Sequence, residues 1–563
     1  MLLTAMLLTL FLQAQPKPDL TGEWRLLNAR SNFDGEPAPA SKLLQFDHRD
    51  PTLRLTITEA PSANAAPMDA TLFYSTDNAE RVNLVLGNEV KARTRWDGSA
   101  IVQTSEGAFN NNQIKLTDRY ELSPDRQTLT LHRHFEGTSP RGALPTRNQV
   151  LVFERVTLQA GVAKVDITPT VLLAMYGYSN RRCGDANGTH DPLMAKALVL
   201  QSGASKLAIV THDLGSMVSD NLRQRLTREL GITAVLLSAS HTHSGPFFLT
   251  RDNATLPEPA QAYRAELDRK VFEAVQSAAA SMFPARLRTG TGEAPLGYNR
   301  LTRREHGRSR AEFNNPDRVP YGPFDPEFRL LEITDTAGNP KALLVHYGVH
   351  SVVLGPTNCK YSADYPGALQ AAIEKAVPGI QAMFVQGGAG DINPIFMGRS
   401  GNEEADFQLV DKLGNMLAAE VLKARARMRP IDTDSLPIRT RGETLRFQNR
   451  WQKDRSHEIG ITTVLIGRDI AIAAMPGEPH SLFQKQWRER ADVAFPLFYG
   501  YTFSSGGEWP GYLPDLKSAA YGGYGSDSTS TNVEVGAGER LLERHLFHLY
   551  DLKGMWLPKP GQN

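Results

Sequence analysis

The pattern of apolar residues changes near Ala160, and that change decides what this chain can fold into. Over residues 20–157, short alternating runs recur: Leu53–Ile57, Leu129–Leu131 and Val150–Phe153. Turn signals at Asp50-Pro51, Asp97-Gly98 and Ser123-Pro-Asp125 separate them. Strands spaced about ten residues apart, with no helical period, predict a small antiparallel all-β domain, a barrel or a sandwich. Beyond residue 160, apolar strand-like runs alternate with helical ones. Strands are expected at Leu207–Val210, Ala234–Leu237, Leu343–Tyr347, Met383–Gln386 and Ile470–Ala474, and helices over 259–281, 404–426 and 536–551. In the first helix Tyr263, Leu267, Val271 and Val275 share one face; in the second Phe407, Val410, Leu413 and Leu417 do. That alternation predicts an α/β domain over 160–563. The sequence carries no evident internal repeat, and the Pro-, Asp- and Thr-rich stretch 429–447 reads as a connecting excursion. A length of 563 residues exceeds what one core supports, so two domains are expected on that ground too.

Charge excludes some classes of partner. Lys and Arg total 62 against 61 Asp and Glu, so no global field attracts nucleic acid. The local run Arg303, Arg304, Arg308 and Arg310 reads as a solvated loop. Residues 1–14, MLLTAMLLTLFLQA, are too short to span a bilayer and resemble a secretory signal cleaved after Ala14, which predicts a secreted or periplasmic protein. No other run approaches about 18 apolar residues, so no transmembrane anchor is expected, while contact with a membrane surface stays open. The two cysteines, Cys183 and Cys359, allow either a disulfide or two buried thiols. The opening Gly22-Glu-Trp-Arg-Leu26 resembles that of lipocalin-like barrels.

Chemistry-bearing residues gather at the ends of predicted strands, where open α/β sheets bind ligands. Ala234–Leu237 runs into Ser238-Ala-Ser-His241-Thr-His243-Ser-Gly245-Pro246. Residues i and i+2 of an extended segment point the same way, so both imidazoles can face one cavity. His132-Arg-His134 has the same spacing but sits in a polar strand with no following turn, and it reads as solvent-facing. Further strand ends carry His346-Tyr-Gly-Val-His350-Ser351, Gly387-Gly-Ala-Gly390-Asp-Ile-Asn393-Pro394 and Met475-Pro-Gly-Glu478-Pro479. The glycines allow close backbone approach, but the Lys of a P-loop and the spacing of a dinucleotide fingerprint are missing. Two histidines and a carboxylate from separate strand ends match an open catalytic zinc site. His190-Asp191 reads as a loop brace.

These motifs in this order resemble the neutral/alkaline, non-lysosomal ceramidase family. The likeness runs from Gly161-Val-Ala-Lys-Val-Asp-Ile-Thr-Pro169 to about residue 550. It takes in Tyr176-Gly-Tyr178, Gly188-Thr-His190-Asp-Pro192, Tyr298-Asn-Arg300 and Pro476-Gly-Glu478. It implies an α/β zinc hydrolase that cleaves an N-acyl amide such as N-acylsphingosine. The zinc ligands would be His241, His350, Glu478 and, within Trp509-Pro-Gly-Tyr512-Leu-Pro514, Tyr512. His243 would act as general acid/base. Arg300 and Tyr521, the latter placed through Tyr521-Gly-Gly523, would hold the substrate carbonyl. The family carries a serine where this chain has Asn393, whose amide can donate to an oxyanion but cannot attack. Two alternatives follow: the same zinc fold acting on a non-ceramide amide or ester, or a non-catalytic lipid-binding protein.

Overall fold

Apolar faces sort the chain into two units in the computed structural model, one running to Val156 and the other from Thr157 to Trp556. The structure describes residues 17–65, 68–248, 255–301, 303–320, 322–431, 436–527 and 530–556. The signal-like segment 1–14 lies outside the described residues.

The first unit is a single antiparallel sheet of eleven strands, from Gly22–Leu26 to Arg147–Arg155. Alternation turns Trp24, Phe46, Leu55, Tyr120, Leu129 and Phe153 to one buried face. The two edge strands, Met68–Ser75 and Arg81–Val85, approach one another. Asn83 accepts from the Phe73 amide at 2.7 Å and donates to its carbonyl at 3.1 Å. The sheet thus curls into a nearly closed barrel, which shields its edges. His132 is exposed beside Glu121, and His134 meets Asn148 at 2.7 Å, so this His-x-His pair holds no site.

The second unit contains a repeat that the sequence does not display. Three antiparallel strands are followed by a helix that crosses to a fourth strand parallel to the third, and a longer helix comes after. The first copy comprises Gln159–Asp166, Met194–Ser202, Ser205–His212, helix Asp220–Leu230, Ala234–Ala239 and helix Glu258–Ala280. The second comprises Phe283–Glu293, Glu327–Asp335, Pro340–Tyr347, helix Asp364–Ala376, Gln381–Gln386 and helix Glu403–Arg425. In the third, Ile438–Gln448, Ser456–Ile466 and Ile470–Ala474 precede helix Ser481–Arg490, then Phe495–Tyr499 and helix Ala537–Leu552. Much of the stretch read as an excursion at 429–447 is therefore a long paired strand, while 432–435 lies outside the described residues.

The first two copies join through Gln159–Asp166 and Phe283–Glu293 into one ten-stranded mixed sheet. The third forms a four-stranded sheet. Leu198, Ile209, Leu236, Leu344 and Val385 of the large sheet pack with Val464, Ile466, Ile472 and Leu497 of the small one. Helices cover the outer faces. Tyr263, Leu267, Val271 and Val275 lie against the first copy, and Phe407, Val410, Leu413 and Leu417 against the second. Strands covered on both faces need no alternation, so Ala234–Ala239 is apolar or small throughout and buried at every position. The ends of the third and fourth strands of all three copies supply the site.

Candidate metal centre

His241 follows the fourth strand of the first copy, His350 the third strand of the second, and Glu478 the third strand of the third. All three are buried. Glu478 Oε2 lies 3.3 Å from His241 Nε2 and 3.3 Å from His350 Nε2. Each imidazole is fixed through its other nitrogen. His241 Nδ1 donates to the Gly215 carbonyl at 2.6 Å, and His350 Nδ1 to the Ala389 carbonyl at 2.5 Å. The tautomer is thereby set and Nε2 is left as a lone-pair donor, the arrangement that orients metal-ligating histidines. His241 adopts φ 63°, a left-handed conformation that a non-glycine residue holds only when its surroundings impose it.

The donor set fits a tetrahedral ion. Ligands bound to zinc at about 2.0–2.1 Å stand about 3.3 Å apart, the spacing found around Glu478 Oε2. His350 Nε2 and Glu478 Oε2 are buried with no hydrogen-bond partner, a costly state unless a cation satisfies them. Burial works to raise the Glu478 carboxyl, but His241 and His350 bring it well below the usual carboxylate range. Burial pushes His350 down to about 4. An ionised carboxylate beside a neutral imidazole is the protonation state a divalent ion requires.

His243 completes the cluster. His241, His243 and His350 offer ring nitrogens within 4.8 Å of one another, and His243 Nε2 lies 3.2 Å from His241 Nε2. Its Nδ1 has no partner, so it lacks the carbonyl that orients the other two rings. A different cradle holds it. Arg181 donates to the His243 carbonyl at 2.6 Å and to that of Tyr176 at 3.2 Å, and its other terminal nitrogen reaches the Asn358 carbonyl. Tyr178 meets the His243 ring edge-on at 4.8 Å. Gly177, at φ 97°, lies against that ring so closely that a β-carbon there would overlap it. A disulfide between Cys183 and Cys359 joins the two loops that Arg181 spans, which resolves the open choice about the cysteines.

Arg300 and Asn393 are buried together. Arg300 donates to Asn393 Oδ1 at 3.1 Å and to the Gly390 carbonyl at 2.6 Å. The Asn393 side-chain oxygen thus braces the guanidinium. Tyr512 pairs with Glu478 in a short parallel ladder, and its ring lies 5.5 Å from the Arg300 guanidinium and 6.5 Å from His350.

Residues 158–412 match the family model described as neutral/alkaline non-lysosomal ceramidase, N-terminal. This segment resembles the neutral/alkaline ceramidase family. The neutral ceramidase of Pseudomonas aeruginosa is 27% identical over 311 residues, 50% of this chain and 45% of that protein. Neutral ceramidase B of Dictyostelium discoideum is 30% identical over 260 residues, 42% of this chain and 35% of that protein. The aligned part thus spans less than half the length of either relative. The crystal structure of the Pseudomonas enzyme superposes with a TM-score of 0.58 at 17% identity, covering 72% of this chain and 76% of that one, a likeness of fold.

The structure does not bring Tyr521, which lies beyond the matched segment, to Arg300. Tyr521 ends helix Leu516–Tyr521 and lines a separate cleft of about 660 Å³ with Asn299, Asp391 and Asp515. Gly522, at φ 75°, and Gly523, at φ 103°, redirect the chain. It is Tyr524 that faces the site, 5.3 Å from the Arg300 guanidinium and 5.6 Å from Tyr512. Two further tyrosines, Tyr501 and, within the quoted Tyr176-Gly-Tyr178, Tyr176, were given no site role by the sequence reading. Tyr501, at the end of Phe495–Tyr499, packs 4.5 Å from His241, and its buried hydroxyl has no partner. Tyr176 meets both His241 and His243 at 5.7 Å. Glycines at Gly500 and Gly522-Gly523-Tyr524-Gly525 were the available signal, since they mark close backbone approach. His190 and Asp191 do brace a loop: Asp191 accepts from Ser362 Oγ at 2.6 Å and the Ala363 amide at 2.8 Å.

Proposed function

We propose that this protein is a zinc-dependent hydrolase of the ceramidase type that cleaves an N-acyl amide, exported from the cytoplasm by residues 1–14. The observation that carries the reading is the convergence of His241 Nε2 and His350 Nε2 on Glu478 Oε2, each 3.3 Å from it. Among the described residues no helix is long and apolar enough to cross a membrane.

His241, His350 and Glu478 hold the ion, with Tyr512 at the edge of the set. Zinc bound there would polarise the scissile carbonyl and make water nucleophilic near neutral pH. His243 stands beside the ligands without being tied to a carbonyl through its ring. It takes a proton as water adds to the carbonyl carbon and delivers one to the nitrogen as the C–N bond breaks. The products are a carboxylic acid and an amine. Arg300, fixed by Gly390 and Asn393, supplies charge to the carbonyl oxygen as it becomes an oxyanion. Tyr524 takes the polarising place the sequence had assigned to Tyr521. Asn393 acts through Arg300, and no side-chain nucleophile is required.

The test is hydrolysis of N-acylsphingosine beside a panel of simpler amides and esters, before and after chelation. Zinc-dependent release of fatty acid from an amide supports the reading. Ester cleavage alone, or cleavage that survives complete metal removal, refutes it.

A further inference from the structure

A second cleft, of about 430 Å³, opens onto the centre through Tyr176 and Glu478. Its composition is unlike that of a chain-binding tunnel. No Leu, Ile, Val, Met or Phe is found among the described residues lining it; the walls are Trp451, Trp509, Asn449, Gln452, Arg455 and Asn532 with a few small residues. An alkyl chain would gain little here, because its affinity comes from removing apolar surface against apolar surface.

The wall is pre-organised. Trp451 is 52% exposed, yet its indole N–H donates to the Thr531 carbonyl at 2.9 Å. The backbone amides of Trp451 and Gln452 both donate to Asn449 Oδ1 at 2.9 Å. His457 is clamped between Asn449 at 2.9 Å and Glu508 at 2.8 Å. The Arg455 guanidinium is partnered by Gln452 Oε1 at 2.9 Å. A fixed aromatic face beside side-chain amides suits a ligand with one C–H-rich face and an edge of hydroxyls, the surface of a pyranose ring.

We propose that this cleft holds a neutral saccharide head carried by the substrate, so that the amide cleaved belongs to a glycosylated N-acyl lipid. The inference rests on the amide-hydrolase reading and names its substrate class. Head and scissile amide would share one continuous cavity, with the head on Trp451 and the amide at Glu478.

Two measurements on the zinc-loaded full chain test it. The first is titration with octyl glucoside below its micelle concentration, beside octylphosphocholine and octyl sulfate, followed by tryptophan fluorescence. The glucoside should bind best, at least about tenfold more weakly in Trp451→Ala, with Trp451→Phe restoring most of the affinity. The second compares kcat/KM for N-acylsphingosine with its glucosylated form. The glucosylated substrate should be preferred at least about tenfold in wild type, and the preference should collapse in Trp451→Ala and Gln452→Ala. Equal or weaker binding of the glucoside than of octylphosphocholine would overturn the proposal, as would preference for the unglycosylated lipid. The binding arm stands without turnover, so failure to hydrolyse any amide would sink the hydrolase reading without deciding the saccharide site.

Discussion

At the residue scale, the division of labour proposed for His241 and His243 rests on what each ring's second nitrogen meets. His241 Nδ1 donates to a carbonyl 2.6 Å away, whereas His243 Nδ1 meets no partner and the ring is held by packing. That makes Gly177 a sensitive position. A β-carbon there would strike the His243 ring, and φ 97° disfavours any side chain. Gly177→Ala should retain zinc while kcat falls about 10- to 100-fold, since displacements near 1 Å cost that much in positioned chemistry. Metal analysis beside steady-state kinetics separates this from general unfolding, in which both would be lost. The paired histidines were legible because small polar residues directly after an apolar strand have few structural uses. Tyr524 was not, because Tyr521-Gly-Gly523 offered an earlier tyrosine before the same glycine turn, and only the path of the chain through that turn distinguishes them.

At the element scale, the cradle of His243 depends on two loops, one carrying Arg181 and Cys183 and the other Asn358 and Cys359. Cys183–Cys359 closes a sequence separation of 176 residues between them. Replacing both cysteines by serine should lower stability by about 2–5 kcal/mol. It should also reduce turnover, through the Arg181 contacts to the His243 and Asn358 carbonyls. Thermal unfolding and kcat measured with and without reductant check this, and a variant with unchanged turnover would show that Arg181 holds the loop unaided. Regular elements were read closely from pattern. Strand Ile470–Ala474 has the bounds expected, and the three expected helices begin and end within a residue or so of those observed. Helices Asp220–Leu230, Asp364–Ala376 and Ser481–Arg490 went unread: each is short, and packing rather than periodicity decides such segments.

At the scale of the whole molecule, three copies of one strand–helix arrangement converge their strand ends on one point, and each copy contributes one of the three proposed ligands. The sequence hides this repeat because doubly covered strands need only be apolar, so their sequences can diverge while the topology persists. Two sheets packed face to face between helical layers also bury histidines outside the proposed ligand set. His545, packed among Thr463 and Trp487, is pushed down to about 3 by burial and then by His548. Its folded value lies below its unfolded one, so this group costs stability as pH falls from about 6.5 towards 3, at up to about 1.4 kcal/mol per pH unit. His545→Gln should therefore lose less thermal stability than wild type between pH 7 and pH 5, and an equal loss would contradict that assignment. The central claim is the ligand set, and zinc stoichiometry by elemental analysis of the folded variants tests it most directly. Wild type and His243→Ala should each hold about one zinc per chain, the single site the donor set describes, and His241→Ala, His350→Ala and Glu478→Gln should hold little. Full zinc in His241→Ala, or its loss from His243→Ala alone, would contradict the account.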